Sequence, residues 1–334
     1  NYKILRYFFS QKIFRSFLRI LEKFIPIQKK VLNIIKDNKI DLIVCSPAIS
    51  HHSQDIEFLK VANKLNIDDI VSIASWDNVT TKGTFSKIPK KIFVWNEKMK
   101  SDVLQFHDNI TPNQVEVTGT GIFDQNFEYT PSKKQQLLID MKLPINSKYF
   151  LWVGGSPQAE DHEIPTIIDV LNVFINHFFK KNIFLVVRPH PSTIEKWLKI
   201  DNKHLLIYPK NVDFPEDLTQ KQIFLDTIYH SLGVLGINTS ASLDGLILDK
   251  PGIQLVLDKN KNVQTDLGHI PYILNSKAME IATNYKELVH ILNKIIKGID
   301  TTKQIRKDFI KEFIRPFGMT QKSSDIFLEK LLNI

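Results

Sequence analysis

The run Ile183-Phe184-Leu185-Val186-Val187, followed at once by Arg188-Pro189-His190-Pro191, decides how this chain folds. Five consecutive apolar residues read as a strand buried on both faces, as in a parallel sheet. Pro189 and Pro191 stop that strand and stiffen the turn after it. Arg188 and His190 are then presented at a carboxyl strand edge, where open α/β sheets bind their ligands. The planar fork of Arg suits phosphate, and His donates, accepts or titrates near neutrality. Taken alone, the same residues also read as a surface turn with an incidental histidine.

Working outward, apolar runs alternate with helical periodicity. Strands are expected over 41–45, 69–74, 91–95 and 115–117, with helices over 57–65 and 97–106. The stretch from Phe123 to Ser147 is polar, contains Pro131 and Pro144, and reads as a linker. Alternation restarts with a strand from Tyr149 to Val153 and a helix from Ile164 to Phe179. Strands over 205–208, 232–236 and 252–257 follow, with helices over 223–230, 241–248 and 278–296. The tail from Ile305 reads as two helices broken at Arg315-Pro316-Phe317-Gly318. This order predicts parallel β-α units and a doubly wound α/β architecture of two Rossmann-like domains, 1–130 and 145–317.

Composition fits that size. The 334 residues are 43% hydrophobic and 24% charged, enough for two domains of an ordinary globular chain. Cys45 is the single cysteine, which excludes a disulfide framework and a multi-cysteine metal site and fits a reducing, cytoplasmic compartment. No uncharged apolar run is long enough to span a bilayer, and no cleavable signal pattern is present. The chain begins at Asn1, not Met, which leaves room for an upstream strand outside this sequence.

Charge is concentrated at one end. Residues 1–39 hold ten Lys/Arg and two acidic residues, the whole net charge of +8, while the other 295 residues carry 34 of each sign. Within this segment Ile4, Leu5, Phe8, Phe9, Ile13, Phe14, Phe17, Leu18, Leu21 and Phe24 recur at helical spacing. A basic helix with a Phe/Leu face suits an anionic membrane surface, and equally suits packing on a sheet with its basic side in water. The first reading places the protein peripherally on the inner face of the cytoplasmic membrane. No nucleic-acid motif accompanies the charge, so nucleic acid is not an expected partner.

Chemistry-bearing residues gather at predicted strand ends. Gly154-Gly155-Ser156 follows the first strand of the second half, and glycines there let backbone N–H groups approach a phosphate. Gln158, Glu160, Asp161 and His162 enrich the loop after it in polar groups. No full dinucleotide fingerprint or Gly-Lys-Ser/Thr loop is present. Asn238-Thr239-Ser240-Ala241-Ser242 reads as a helix cap whose hydroxyls and amides also suit phosphate. Asp244, inside that helix, is placed to accept a ribose or sugar hydroxyl.

In the first half, Ser75-Trp76-Asp77-Asn78 opens the most polar loop. Asp77 is the candidate catalytic base, with His51 and His52 as rivals. Trp76 offers a face that packs on sugars, or else fills the core, and Lys82 suits an anionic acceptor. Around the histidines no metal-ligand spacing appears, so no metal is expected.

The strand with Arg188-Pro189-His190-Pro191, followed by Asn238 through Gly252, resembles the two-Rossmann glycosyltransferases called GT-B. The resemblance is to the bacterial surface-polymer branch: CDP-glycerol glycerophosphotransferase-like, capsule-transferase-like and UDP-N-acetylglucosamine 2-epimerase-like proteins. It covers roughly residues 40–334 and is strongest from 183 to 256. It implies two domains facing across a cleft, with 318–334 crossing back to the first. It further implies phosphate contacts for Arg188, His190, Thr239, Ser240 and Ser242; Asp244 stands where many relatives have Glu. The expected activity is metal-independent transfer of a sugar or polyol phosphate from a nucleotide-activated donor to a surface glycan or lipid-linked acceptor. UDP, CDP, CMP and GDP are not distinguished, and no separate cofactor is implied. A UDP-N-acetylglucosamine 2-epimerase-like enzyme and a non-catalytic glycan- or nucleotide-binding subunit are the alternatives.

Overall fold

The computed structural model describes residues 11–22, 24–50, 53–155, 157–211 and 217–334. His51, His52 and Ser156 lie outside the described residues, as do residues 1–10 of the basic segment. Contacts divide the chain into two compact units, Asn1–Gly121 with Phe313–Ile334, and Ile122–Glu312.

In chain order the first unit begins with α1 (Lys12–Glu22), α2 (Lys29–Asp37), β1 (Leu42–Cys45) and α3 (Asp55–Leu65). It continues with β2 (Asp68–Ser72), α4 (Asn78–Thr81), β3 (Lys91–Val94), α5 (Glu97–Phe106) and β4 (Val115–Val117). The second unit carries α6 (Asp124–Phe127), α7 (Lys134–Asp140), β5 (Lys148–Val153), α8 (Glu160–His177), β6 (Ile183–Arg188) and α9 (Ile194–Leu198). After these come β7 (Leu206–Ile207), α10 (Leu218–Tyr229), β8 (Val234–Gly236), α11 (Ala241–Ile247) and β9 (Gly252–Leu255). Then follow α12 (Ile270–Ser276), β10 (Glu280–Ala282), α13 (Tyr285–Ile296), α14 (Lys303–Phe313) and α15 (Ser323–Leu332).

The first unit is a parallel sheet in the order β1-β2-β3-β4. The C-terminal segment packs into it. Phe327 of α15 meets Phe93 of β3 edge-on at 5.3 Å, and Lys330 pairs with Glu116 of β4 at 3.1 Å. Asn96 caps α5 by accepting from the Met99 amide, and its side-chain amide donates to the Phe313 carbonyl at 2.8 Å. Gly119 has φ +73°, and a Cβ there would stand 2.4 Å from Ser323 Oγ, so only glycine fits beneath the C-terminal segment.

The second sheet is also parallel, in the order β10-β9-β8-β5-β6-β7. Strand parity explains why its strands read as unbroken apolar runs. Phe150 and Trp152 of β5, with Leu185 and Val187 of β6, join a core containing Ile167, Leu171 and Phe174 of α8. Tyr149, Leu151 and Val153 of β5, with Val186 of β6, join another core with Leu137 and Leu138 of α7 and Phe224 of α10. Both faces are therefore covered, and each large side chain buried this way contributes roughly 1.5–3 kcal/mol.

Several expectations change. The segment from Phe123 to Ser147 is not a linker: Leu137, Leu138 and Met141 bury an α7 face against β5. The helix expected over 278–296 begins only at Tyr285, because Glu280–Ala282 adds β10 beside β9. The helix expected from Ile164 begins at Glu160, so Pro165 sits inside α8.

Candidate functional site

Strand order locates the site. From β5 the chain adds β6 and β7 on one side, then returns to add β8, β9 and β10 on the other. Reversal between β5 and β8 opens a crevice at their carboxyl ends, the position at which open parallel sheets hold ligands. The first unit's described strands run in sequence without a reversal.

Three loops converge at that edge. Gly154 donates its amide to the Arg188 carbonyl at 2.8 Å. A Cβ on Gly154 would lie 2.6 Å from the His190 amide nitrogen, and one on Gly155 would lie 2.7 Å from the Asn238 carbonyl oxygen. Both glycines thus exist so that the loop after β5 can pass between the turns that follow β6 and β8. The Gly155 amide does not reach outward as the sequence reading expected. It donates to the buried carboxylate of Glu163 at 3.0 and 3.1 Å, which also accepts from Trp152 Nε1 at 2.9 Å.

Arg188 closes β6. Alternation along the strand places it on the same face as Val186, toward α10. The side chain is only 7% exposed, and its Cζ lies 4.9 Å from the Phe224 ring centre. Its Nη1 is buried with no hydrogen-bond partner, and no carboxylate forms an ion pair with it among the described residues. Burial pulls the guanidinium down to about 10, against partial restoration by Tyr208 and Asp244, so it remains a cation at neutral pH. An uncompensated buried cation is costly, and an anion is what would offset it.

Neighbouring groups sharpen the field. Lys221 Nζ stands 5.4 Å from the same Phe224 ring and 3.5 Å from Asp244 Oδ1. Asp244, in the first turn of α11, is buried and not turned outward to a sugar ligand: its Oδ1 also accepts from Asn126 Nδ2 at 2.6 Å, and burial pushes its carboxyl up. It is therefore an interior carboxylate already held by two partners of its own unit. Ser242, in the first turn of α11, buries its Oγ without a hydrogen-bond partner. Thr239 Oγ1 accepts from the Ala241 amide at 3.3 Å, and Ser240 is exposed.

His190 is half-buried, and its Nδ1 accepts from the Ser192 amide at 3.2 Å. That bond selects the neutral tautomer with the proton on Nε2. Burial pulls its pKa below the ordinary value, in the same sense.

The fold has known structural counterparts. No protein-family model matches the chain, and no curated protein matches it by sequence. By structure, it is similar to UDP-GlcNAc 2-epimerase from Neisseria meningitidis bound to UDP-GlcNAc, with TM-score 0.60 and 14% identity over 97% of this chain and 83% of that one. UDP-GlcNAc 2-epimerase from Methanocaldococcus jannaschii gives 0.59 and 16%, over 96% and 81%. WaaG, a glycosyltransferase involved in lipopolysaccharide biosynthesis, gives 0.50 and 13%, over 90% and 79%. The fold is GT-B-like.

Candidates of the first unit fall differently. Trp76 is 3% exposed and meets Phe313 edge-on at 6.4 Å, so it fills the core and offers no platform to a sugar. Asp77 and Lys82 pair with each other at 3.1 Å, and Asp77's carbonyl accepts from Thr81 Oγ1. Asn78 shapes this loop instead, accepting from the Ser75 amide at 2.7 Å and donating to the Ile49 carbonyl at 3.4 Å.

Sequence reasoning missed Lys221, Phe224, Glu163 and His269. The available signal for the first two was Asp217, whose side chain caps α10 by accepting from the Gln220 amide and so starts the helix five residues earlier than expected. His269, buried at the start of α12, meets Asn238 Oδ1 at 3.1 Å and ties the loop after β9 to the same edge.

Proposed function

We propose that this chain is a glycosyltransferase that moves a sugar, or a polyol phosphate, from a nucleotide-activated donor to a hydroxyl of a surface glycan or lipid-linked acceptor. One observation carries the reading: a buried Arg188 guanidinium with an unpartnered Nη1 stands at the switch-point edge of the second sheet. A nucleoside diphosphate offers the compact dianionic charge that such a site lacks.

In sugar transfer the acceptor oxygen bonds to the anomeric carbon while the bond to the diphosphate breaks. The leaving diphosphate takes the electron pair. Arg188 and Lys221 would stabilise that growing negative charge, and the His190 Nε2–H would donate to a phosphate oxygen. The chain's own cations, rather than a metal, serve this role in the proposal. Asp77, paired with Lys82 at 3.1 Å, is the candidate of the first unit for taking the acceptor proton.

The likeness to two UDP-GlcNAc 2-epimerases favours a second reading, an epimerase using the same donor site. Titration with UDP, CDP, CMP and GDP, followed by incubation with the matching nucleotide sugar, separates them. An epimer formed without any acceptor supports the second reading, and product formed only with an acceptor supports the first. No nucleotide binding at millimolar concentration would overturn both.

A further inference from the structure

The basic amphipathic α1 has no place in the nucleotide chemistry above. At about 100° per residue, Ile13, Phe17 and Ile20 fall along one line of the helix, with Leu18 and Leu21 beside them. All are exposed: Ile13 at 86%, Phe17 at 50%, Ile20 at 51%, Leu18 at 40% and Leu21 at 45%. Phe24 and Ile25 continue the apolar arc past the helix end at 79% and 51%. Single exposed hydrophobics are ordinary, but a contiguous run of this size marks an interaction surface.

Charge identifies the occupant. Positions 12, 15 and 19, occupied by Lys, Arg and Arg, lie on the opposite arc of the same helix. On α2 and just after it, Lys29, Lys30, Lys36 and Lys39 are exposed. The rest of the chain is balanced in charge, so the cationic field is confined to the segment carrying the apolar arc. A helix with an apolar arc flanked by Lys and Arg lies in the plane of an anionic lipid interface. Lys60 of α3 ties the end of α1 through its ion pair to Glu22, while Glu57 of its own helix holds the same ammonium. Among the described residues no helix is long and apolar enough to cross a membrane, so contact would be in-plane.

We infer that α1, supported by the lysines of α2, docks the protein on an anionic phospholipid bilayer. Ile13, Phe17 and Ile20 enter the headgroup boundary while the basic residues meet lipid phosphates.

Co-sedimentation of the full chain with phosphatidylcholine vesicles, alone or with about 30% phosphatidylglycerol, tests this. Binding should be at least about tenfold tighter to the anionic vesicles and should weaken with salt. The variant F17D/I20D should lose that binding, and K29E/K30E/K36E should weaken it and reduce its salt dependence. Both should keep the circular dichroism spectrum and any UDP affinity of the parent, so this test and that of the donor site fail separately. Should a charged variant unfold, a fluorophore at Phe17→Cys still reports, since Cys45 is buried. Its emission should shift to the blue on anionic vesicles only. Equal binding to both vesicles, no binding, or an unchanged F17D/I20D would overturn the inference. So would a dimer in light scattering that F17D/I20D makes monomeric without any vesicle binding, since a second copy would then cover the arc.

Discussion

The Arg188 guanidinium carbon lies 4.9 Å from the centre of the Phe224 ring, and the Lys221 ammonium approaches that ring at 5.4 Å. An aromatic face attracts cations, but weakly beside what a charge loses on leaving water. Asp244 is the carboxylate close to both, and its own burial works against its charge. These groups together therefore carry more positive than negative charge in a place with little water. Such an imbalance costs stability and is retained where function requires it.

Arg188→Met should thus move stability and binding in opposite directions. Removing an unpaired buried charge while keeping the apolar stem should stabilise the fold by about 1–4 kcal/mol. Nucleotide affinity should fall by at least about tenfold, since a charge-assisted contact to phosphate is lost. Urea denaturation and UDP titration measure the two. A variant less stable than the parent with unchanged affinity would mean that Arg188 is structural.

Gly154→Ala should be damaging despite adding one methyl group. Its Cβ would stand 2.6 Å from the His190 nitrogen and 3.0 Å from Pro189 Cα, both backbone atoms that cannot swing aside. Stability should drop by about 1–3 kcal/mol. The urea midpoint should fall with the slope unchanged, and UDP affinity should weaken because the Arg188–His190 turn moves with the strain.

His190 carries a pH dependence of definite sign. Burial lowers its pKa from the ordinary 6.5, so the unfolded chain takes up this proton more readily than the folded one. Its contribution is whole above about pH 6.5 and is lost as the pH falls below that. Protonation also converts Nδ1 from acceptor to donor and breaks the bond from the Ser192 amide. The His190 ring resonances should titrate with a midpoint below 6.5. His190→Gln, whose oxygen can accept the same bond, should flatten this part of the stability profile.

Much of this fold was legible because β5, β6 and β9 are buried on both sides and announce themselves as apolar runs. Glu97–Phe106 and Val115–Val117 match the expected bounds for the same reason of clear local pattern. β10 was hidden because three residues carry no period, and its pairing with β9 is a tertiary fact. In 123–147, polar residues masked the 137, 138, 141 spacing that makes α7 amphipathic. At the site, Arg188 and its turn were visible from the strand that delivers them. Glu163 was not, because nothing in Glu160-Asp161-His162-Glu163 reveals which acid folds back onto the Gly155 amide and Trp152. Trp76 shows the converse limit, since a polar loop sequence cannot tell a sugar platform from a core plug.

Cys45, at the end of β1, gives a test of the first unit alone. Its thiol is buried, with Sγ 3.8 Å from the Asp55 carbonyl oxygen. Burial, reinforced by Asp55 and Asp69, pushes its pKa up to about 12 from 9.0. At pH 8 the native thiolate fraction is then far below that of a free cysteine, and burial also blocks the reagent. Alkylation should accordingly be much slower than for unfolded chain and should track transient opening of β1 and α3. The linkage sign follows from the raised pKa: the folded state holds this proton longer, so the contribution is full below about pH 9 and declines above it. Iodoacetamide labelling against urea should therefore rise with the unfolding of the first unit, measured beside the intrinsic fluorescence. Rapid labelling in the absence of denaturant would show that β1 is not packed as described.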